Sequence, residues 1–218
     1  MNKFGLNLFQ NAQQLEAGMD ECARGCIFGR TYTAVVIWNS EFLEENINNP
    51  EFEWIHQIRD SKKISPKKRE HLSELIKEYC LDYSIQFADE TEIDTINILQ
   101  AVQRCFHSSI EQLNVKPDKL FVDGNYFIPY KKIPYECVEK GDNTYFSIAS
   151  ASIIAKVAHD KYISELCEQY PKLVEQYDIG KNMGYGTATH LSGIRKYGIT
   201  QFHRKTFGCC KSVEINEI

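Results

Sequence analysis

The sequence predicts a layered α/β domain with a mixed sheet, and three observations carry that prediction. Segments of strand and helix character alternate, in the order strands, helix, strand, helix, strand, helix. At 218 residues and 43% hydrophobic composition, the chain can close one full core, or one core with a small appended lobe. No internal repeat, low-complexity tract or Gly/Ser linker divides it, so a single domain over 1–218 is expected.

Taken in order, residues 27–38 are rich in β-branched and aromatic residues, with Thr31, Thr33, Val35 and Ile37 at period two. They read as a strand reached from Asp20 through a Gly-containing turn. The polar stretch 40–50 reads as a surface loop. Ser65 followed by Pro66 offers a capping hydroxyl and then a residue whose missing N–H costs nothing, so a helix is expected from there to about Tyr79. Ile85 and Phe87 suggest the next strand.

From Thr91 to Leu113, Ile93, Ile96, Leu99, Val102, Phe106, Ile110 and Leu113 keep a helical period, which predicts one long amphipathic helix. Leu120–Val122 is a short buried strand ending at Asp123-Gly124. Residues 147–168 are packed with Ala, Ile and Ser and contain no Gly or Pro, predicting a helix whose small-residue face lies close against a sheet. A further helix follows Thr187, and residues 198–210 are aromatic and basic without clear period.

Composition excludes several function classes. No apolar run approaches the roughly 20 positions of a membrane span, and residues 1–14 are polar, so neither a membrane nor a secretory destination is expected. Eight cysteines without a Cys-x-x-Cys pair argue against zinc and for free thiols in a reducing cytosol or nucleus. A net charge of −5 argues against coating nucleic acid through bulk positive charge. Residues 1–122 hold 13 basic and 19 acidic residues and 123–218 hold 12 and 11, so the C-terminal part is the better candidate for phosphate contact.

Metal-assisted phosphodiester hydrolysis needs several carboxylates converging on one point, because hard divalent cations prefer oxygen ligands. Three places qualify. Asp20-Glu21 precedes Cys22-Ala23-Arg24-Gly25, but neighbours on a regular strand face opposite sides, so both serve one site only if the strand breaks at Glu21. Alone the pair has an ordinary alternative, a solvated turn, as do Glu44-Glu45 and Asp89-Glu90. Asp123 stands at the end of a buried strand, where Asp-Gly is also a common turn. Asp142 lies just upstream of the Ala/Ser-rich helix, where an acid is usually a cap or dipole partner.

Spacing and flanking residues together resemble one family, the type 2 ribonucleases H. Gly18-Met19-Asp20-Glu21-Cys22-Ala23-Arg24-Gly25 is similar to its Gly-x-Asp-Glu-x-Gly-Arg-Gly opening, and Asp60-Ser61-Lys62-Lys63-Ile64 to its Asp-Ser-Lys-x-Leu segment. Val122-Asp123-Gly124 and Lys140-Gly141-Asp142 fall where its third and fourth acids belong. Residues 149–160 resemble its Ala-Ala-Ala-Ser-Ile-x-Ala-Lys-Val-x-Arg-Asp helix, and Gly184-Tyr185-Gly186-Thr187, His190 and His203-Arg204-Lys205-Thr206-Phe207 complete an ordered set spanning 18–207.

The resemblance implies a ribonuclease H-like fold: a central mixed β-sheet flanked by helices, with a helical substrate-binding region over about 165–218. It implies that Asp20, Glu21, Asp123 and Asp142 hold two Mg2+ or Mn2+ ions and that the chain cuts the RNA strand of RNA/DNA hybrids. Ribonucleotides embedded in duplex DNA are the second implied substrate, with 5′-phosphate and 3′-hydroxyl products. Ala23, Arg24, Gly25 and Tyr185 would read the ribose at the RNA to DNA junction, where the 2′-hydroxyl separates RNA from DNA, and Lys62 would contact phosphate. A monomer acting in the cytoplasm is implied as well. The competing reading is a non-catalytic hybrid-binding module on the same fold.

Three departures stand out. Ala23 replaces the first glycine of the Gly-Arg-Gly turn, a strained choice if that position needs positive φ, and its methyl would crowd a ribose brought against the backbone. Arg30 brings an extra cation, available for a phosphate contact, and His159 replaces an arginine. A metal mechanism requires no histidine base, so His159, His190 and His203 are read first as structural.

Overall fold

The computed structural model describes residues 1–3 and 5–217. Its elements are β1 (Glu16–Cys22), β2 (Thr31–Ile37), α1 (Ser40–Asn46), α2 (Pro66–Tyr79), β3 (Asp82–Ala88), α3 (Glu90–Ile96), α4 (Ile98–Glu111), β4 (Lys119–Asp123), β5 (Tyr135–Val138), α5 (Phe146–Gln169), α6 (Lys172–Tyr177), α7 (Ile179–Asn182) and α8 (Ala188–Tyr197). Short 3-10 turns occupy Pro50–Gln57, Ser61–Lys63 and Gly141–Asn143.

The strands form one mixed sheet in the order β3-β2-β1-β4-β5, flanked by helices. β1 and β4 run parallel with Met19 opposite Val122, and β4 and β5 run parallel with Asp123 opposite Val138. Every residue of β2 is buried, so its period-two pattern marks a fully covered strand rather than one with a solvated face.

The chain divides into two compact units: 1–22, 33–86 and 103–157 in the first, and 23–32, 87–102 and 158–218 in the second. The first unit is built on β1 and β4, whose Ala17, Met19, Leu120, Phe121 and Val122 are buried. Phe121 stacks on Tyr145 at a centroid distance of 4.4 Å, and Trp38 Nε1 donates to Ser150 Oγ at 3.1 Å. The small-residue face expected for the long helix is real: a Cβ on Gly18 of β1 would lie 2.2 Å from the Ser147 carbonyl carbon of α5. The second unit centres on Phe28, Tyr177, His190 and His203, all buried, with Phe28 and His203 rings 5.1 Å apart and Tyr177 and His203 rings 5.2 Å apart.

Helices α2, α5 and α8 and strands β3 and β4 lie where the sequence puts them, and four expectations need correction. The helix expected over 91–113 is two, because Asn97 adopts φ +68 between α3 and α4, and its side-chain oxygen accepts from Gln100 N at 3.1 Å, restarting the helix. The loop expected over 40–50 contains α1, capped by Asn39 and anchored by buried Leu43. Ser65 precedes α2 but makes no side-chain cap bond, leaving Pro66 to set the start. The strand expected from Ile27 begins at Thr31, and Phe28 instead forms an isolated bridge with His203.

Candidate active site

The parallel register does what adjacency in sequence cannot. Met19 and Val122 are opposite, so Asp20 and Asp123 stand one residue beyond the same pair, at the C-terminal ends of neighbouring parallel strands. That end of an α/β sheet is where ligands gather. β1 does not break at Glu21, the condition set by the sequence argument, but runs on to Cys22, with Asp20 buried at 6% exposure and Glu21 partly exposed; the Glu21 charge nevertheless acts on the Asp20 carboxyl, so an unbroken strand does not separate the two. The Asp20 carboxylate turns back along its own strand to accept Glu21 N–H at 2.7 Å.

Asp20 also accepts from the Ser152 hydroxyl on α5, and Ser152 Oγ lies 3.0 Å from Ser61 Oγ on the 3-10 turn after Asp60. Burial pushes the Asp20 carboxyl well above the usual range, and the neighbouring charges of Glu21 and then Asp123 push it further. Asp123, half-buried at the end of β4, accepts Gly141 N–H at 2.6 Å, and burial raises its carboxyl too. Gly141 fits because a Cβ there would lie 2.5 Å from Ile148 Cδ1 and 3.3 Å from Asp123 Oδ1.

Asp142 sits on the Gly141–Asn143 turn and accepts from Asn143 Nδ2 at 2.7 Å. Its carboxyl is raised by burial, then by Asp60, then by Asp123. A hollow of about 560 Å3 is lined by Asp60, Lys62, Lys63, Asp123, Lys140, Asp142 and Asn143. Lys62, on the turn capped by Asp60, draws the Asp123 and Asp142 carboxyls back down.

All three carboxyls are raised by burial, and Asp20 and Asp142 are raised further by the charge of Asp123 among other acids, a repulsion that a divalent cation would relieve, and the donors are all oxygens. Among the described residues no three His, Cys, Asp or Glu side chains are already drawn into a ligand shell. The acids converge as charges rather than as a closed coordination sphere.

The second unit holds the other sequence-predicted residues. Ala23 takes φ +66, the left-handed conformation that made alanine a suspect choice, and its carbonyl accepts Cys26 N–H at 3.1 Å. Ala23 is only 3% exposed, so its methyl is covered by protein, while Arg24 and Gly25 are exposed. Tyr185 is 39% exposed and follows Gly184, whose φ of +83 and whose carbonyl, accepting Ile27 N–H at 3.0 Å, tie it to the 23–29 segment. A Cβ on Gly184 would meet the Phe28 carbonyl oxygen at 2.9 Å, so glycine is needed there on both counts.

The Arg30 guanidinium, partly exposed, lies over the Phe87 ring at 4.1 Å and the Tyr162 ring at 4.5 Å. His190 and His203 are fully buried and hydrogen-bonded to each other at 3.0 Å, the structural role expected of them. Sequence reasoning missed Asp60, Ser61, Ser152 and Arg204 as supports. Ser61 and Ser152 lay inside segments singled out for other residues, and nothing local distinguishes either hydroxyl.

Comparison with known proteins agrees along most of the chain. A family profile described as Ribonuclease HII matches residues 17–210. Ribonuclease HII of Parabacteroides distasonis is 42% identical over 199 residues, covering 91% of this chain and 92% of its own. Among solved structures, ribonuclease H2 from Pyrococcus horikoshii OT3 superposes with a TM-score of 0.70 at 24% identity, covering 89% of this chain and 94% of its own. A Bst ribonuclease HIII in complex with Mn2+ superposes with a TM-score of 0.62 at 14% identity, covering 85% and 72%.

Proposed function

The chain belongs to the ribonuclease HII family, and from that premise we propose how its residues divide the work. It is a ribonuclease H2-type endonuclease, a divalent-metal-dependent hydrolase of nucleic acid. Asp20, Glu21, Asp123 and Asp142 are the metal-holding carboxylates, and the observation that carries this is the end-of-strand placement of Asp20 and Asp123 in register, with burial raising both and the charges of Glu21 and Asp123 raising Asp20 further.

Two Mg2+ or Mn2+ ions bound there would supply activation of a water for attack on phosphorus and stabilisation of the leaving 3′-oxygen. The chain's own contribution is orientation. Ser152 and the Glu21 N–H fix Asp20, the Gly141 N–H fixes Asp123, and Asn143 fixes Asp142. Lys62 offsets acid charge and is positioned for a substrate phosphate. The exposed Arg24-Gly25 turn, with Ala23 behind it, and Tyr185 read the ribose, the phenol able to stack on the sugar and hydrogen-bond to the 2′-hydroxyl.

The substrates proposed are RNA/DNA hybrids and duplex DNA carrying single ribonucleotides, cut to leave 5′-phosphate and 3′-hydroxyl ends. Residues from about 165 onward form the helical substrate-binding region of the proposal, and the active form is a monomer acting in the cytoplasm. Among the described residues no helix is long and apolar enough to cross a membrane.

The test is cleavage of a labelled duplex with one ribonucleotide, beside an all-RNA/DNA hybrid, with Mg2+ or Mn2+. Incision on the 5′ side of the ribose, abolished by Asp123→Asn, is the expected result. Binding of the hybrid without cleavage under any of these conditions would instead favour the non-catalytic module.

A further inference from the structure

Arg204 is fully buried, yet the three hydrogen bonds that hold its guanidinium end on backbone carbonyls. Nη2 donates to Ala23 O at 2.9 Å, Nη1 to Arg24 O at 3.0 Å and Nε to Gly29 O at 2.9 Å. Its own N–H donates to Ile27 O at 2.9 Å. Carboxylates act on it only as neighbouring charges, from Glu90 and Asp94. Five donors in a rigid plane suit a guanidinium to holding several carbonyls of one loop at once, which an ammonium cannot do.

The residue before it does a parallel job. Thr200 N–H donates to His203 Nδ1 at 2.9 Å, so His203 carries its proton on Nε2. That proton is donated to His190 Nε2 at 3.0 Å, which leaves the His190 proton on Nδ1, donated to Tyr185 O at 2.9 Å. The network therefore fixes both tautomers and runs in one direction. Tyr185 is bracketed from the other side by its own N–H on Asn182 O at 3.0 Å.

We propose that the adjacent pair His203-Arg204 is the positioning device of the ribose-reading surface, Arg204 clamping the 23–29 turn and His203 holding Tyr185 through His190. This rests on the assignment of Ala23, Arg24, Gly25 and Tyr185 made above. Neither residue is catalytic; each acts through backbone that presents another side chain.

Two readouts on the full chain test it. Trypsin nicking of the folded protein at the Arg24–Gly25 bond reports the clamp, because Arg204 Nη1 holds that scissile carbonyl. Incision of a duplex with one ribonucleotide, divided by cleavage of an RNA/DNA hybrid, reports reading of the ribose at an RNA to DNA junction, which the uninterrupted RNA strand of the hybrid lacks. For Arg204→Lys the expected result is at least tenfold faster nicking and at least a tenfold lower ratio, through a raised KM rather than a lowered kcat. For His190→Gln the ratio falls without faster nicking, and this variant decides alone if Arg204→Lys does not fold. Unchanged nicking and an unchanged ratio in folded variants overturn the proposal. So does an equal loss on both substrates that tracks the melting temperature, the result of a merely structural arginine. If nicking accelerates while Arg24→Ala and Tyr185→Phe leave the ratio untouched, the ribose-reading assignment itself has failed, and the proposal falls with it.

Discussion

Gly18→Ala is the substitution on which the arrangement of the acids can be judged most directly. The added Cβ would lie 2.2 Å from Ser147 C, 2.3 Å from Ile148 N and 2.5 Å from Ser147 Oγ. Ordinary contact begins at about 3.4 Å, so β1 and the start of α5 must separate by roughly 1 Å, and two of the three obstacles are backbone. Overpacking costs about 1–3 kcal/mol when side chains can yield, so the upper end applies here, about 3 kcal/mol, or roughly 6–12 °C in melting temperature for a chain of this size.

The chemical effect is comparable in size to the loss of stability and is read in a different assay. Gly18 is two residues from Asp20, and α5 carries Ser152, the hydroxyl that holds Asp20. A shift of that size moves Asp20 against Asp123, and misplacing a catalytic group by about 1 Å costs on the order of 100-fold in rate. The assay is cleavage of an RNA/DNA hybrid at a temperature where the variant remains folded, with a melting curve beside it. Gly208→Ala is the control, since a Cβ there meets nothing within 4 Å. A Gly18→Ala protein that melts within 2 °C of the parent and cleaves within about threefold of it would refute the reasoning, because β1 could then tolerate a spacing from α5 that the geometry forbids.

Two further outcomes follow from the buried titratable groups. Burial, and then the neighbouring His190, lower the His203 value to about 3, so the folded state keeps this ring neutral while the unfolded chain, with an ordinary value near 6.5, takes up a proton as pH falls. That contribution is intact above about pH 6.5 and is lost on the way down, by about 1.5 kcal/mol between pH 6.5 and 5, so denaturant melts of His203→Gln should show a shallower acid slope than the parent. Asp20 has the opposite sign: its folded value is raised, so the metal-free protein loses stability as pH rises above the unfolded value near 3.9. Asp20→Asn should therefore melt higher than the parent at pH 7 without metal, by about 1.4 kcal/mol per unit of that elevation, and lose the advantage near pH 3. Added Mn2+ should raise the parent's melting temperature but not the variant's; a lower metal-free melting point at pH 7 would contradict the repulsion argument.

What the sequence made legible depended on whether a feature was local. Helix α5 could be read because 24 residues without Gly or Pro leave few alternatives, and β4 because a short apolar run ended in Asp-Gly. The break at Asn97 was hidden because an apolar stripe spaced every three to four residues survives one residue at positive φ. Helix α1 was hidden by its polarity, since a single buried Leu43 suffices to dock seven residues. For the acids, physical reading of each residue alone left a turn or a cap as an ordinary alternative. Only the pattern over 18–207 named Asp20, Glu21, Asp123 and Asp142 as one set, and for Asp20 and Asp123 the physical cause is the β1–β4 register, which no local signal encodes.

Ala23 illustrates the same point in energetic terms. At φ +66 an alanine is strained by about 1–2 kcal/mol, the cost expected if this position needs positive φ. The turn holds because its geometry is not set by residue 23. Hydrogen bonds to a charged donor contribute about 1.5–3 kcal/mol each, and Arg204 makes three to this segment from 175, 180 and 181 positions away in sequence. Each such bond is comparable with the strain, and the Ala23 side chain is covered by protein at 3% exposure. A glycine-to-alanine change that looks disabling in a motif thus stands in a turn tied down by a distant cation, with Arg24 and Gly25 exposed beside it.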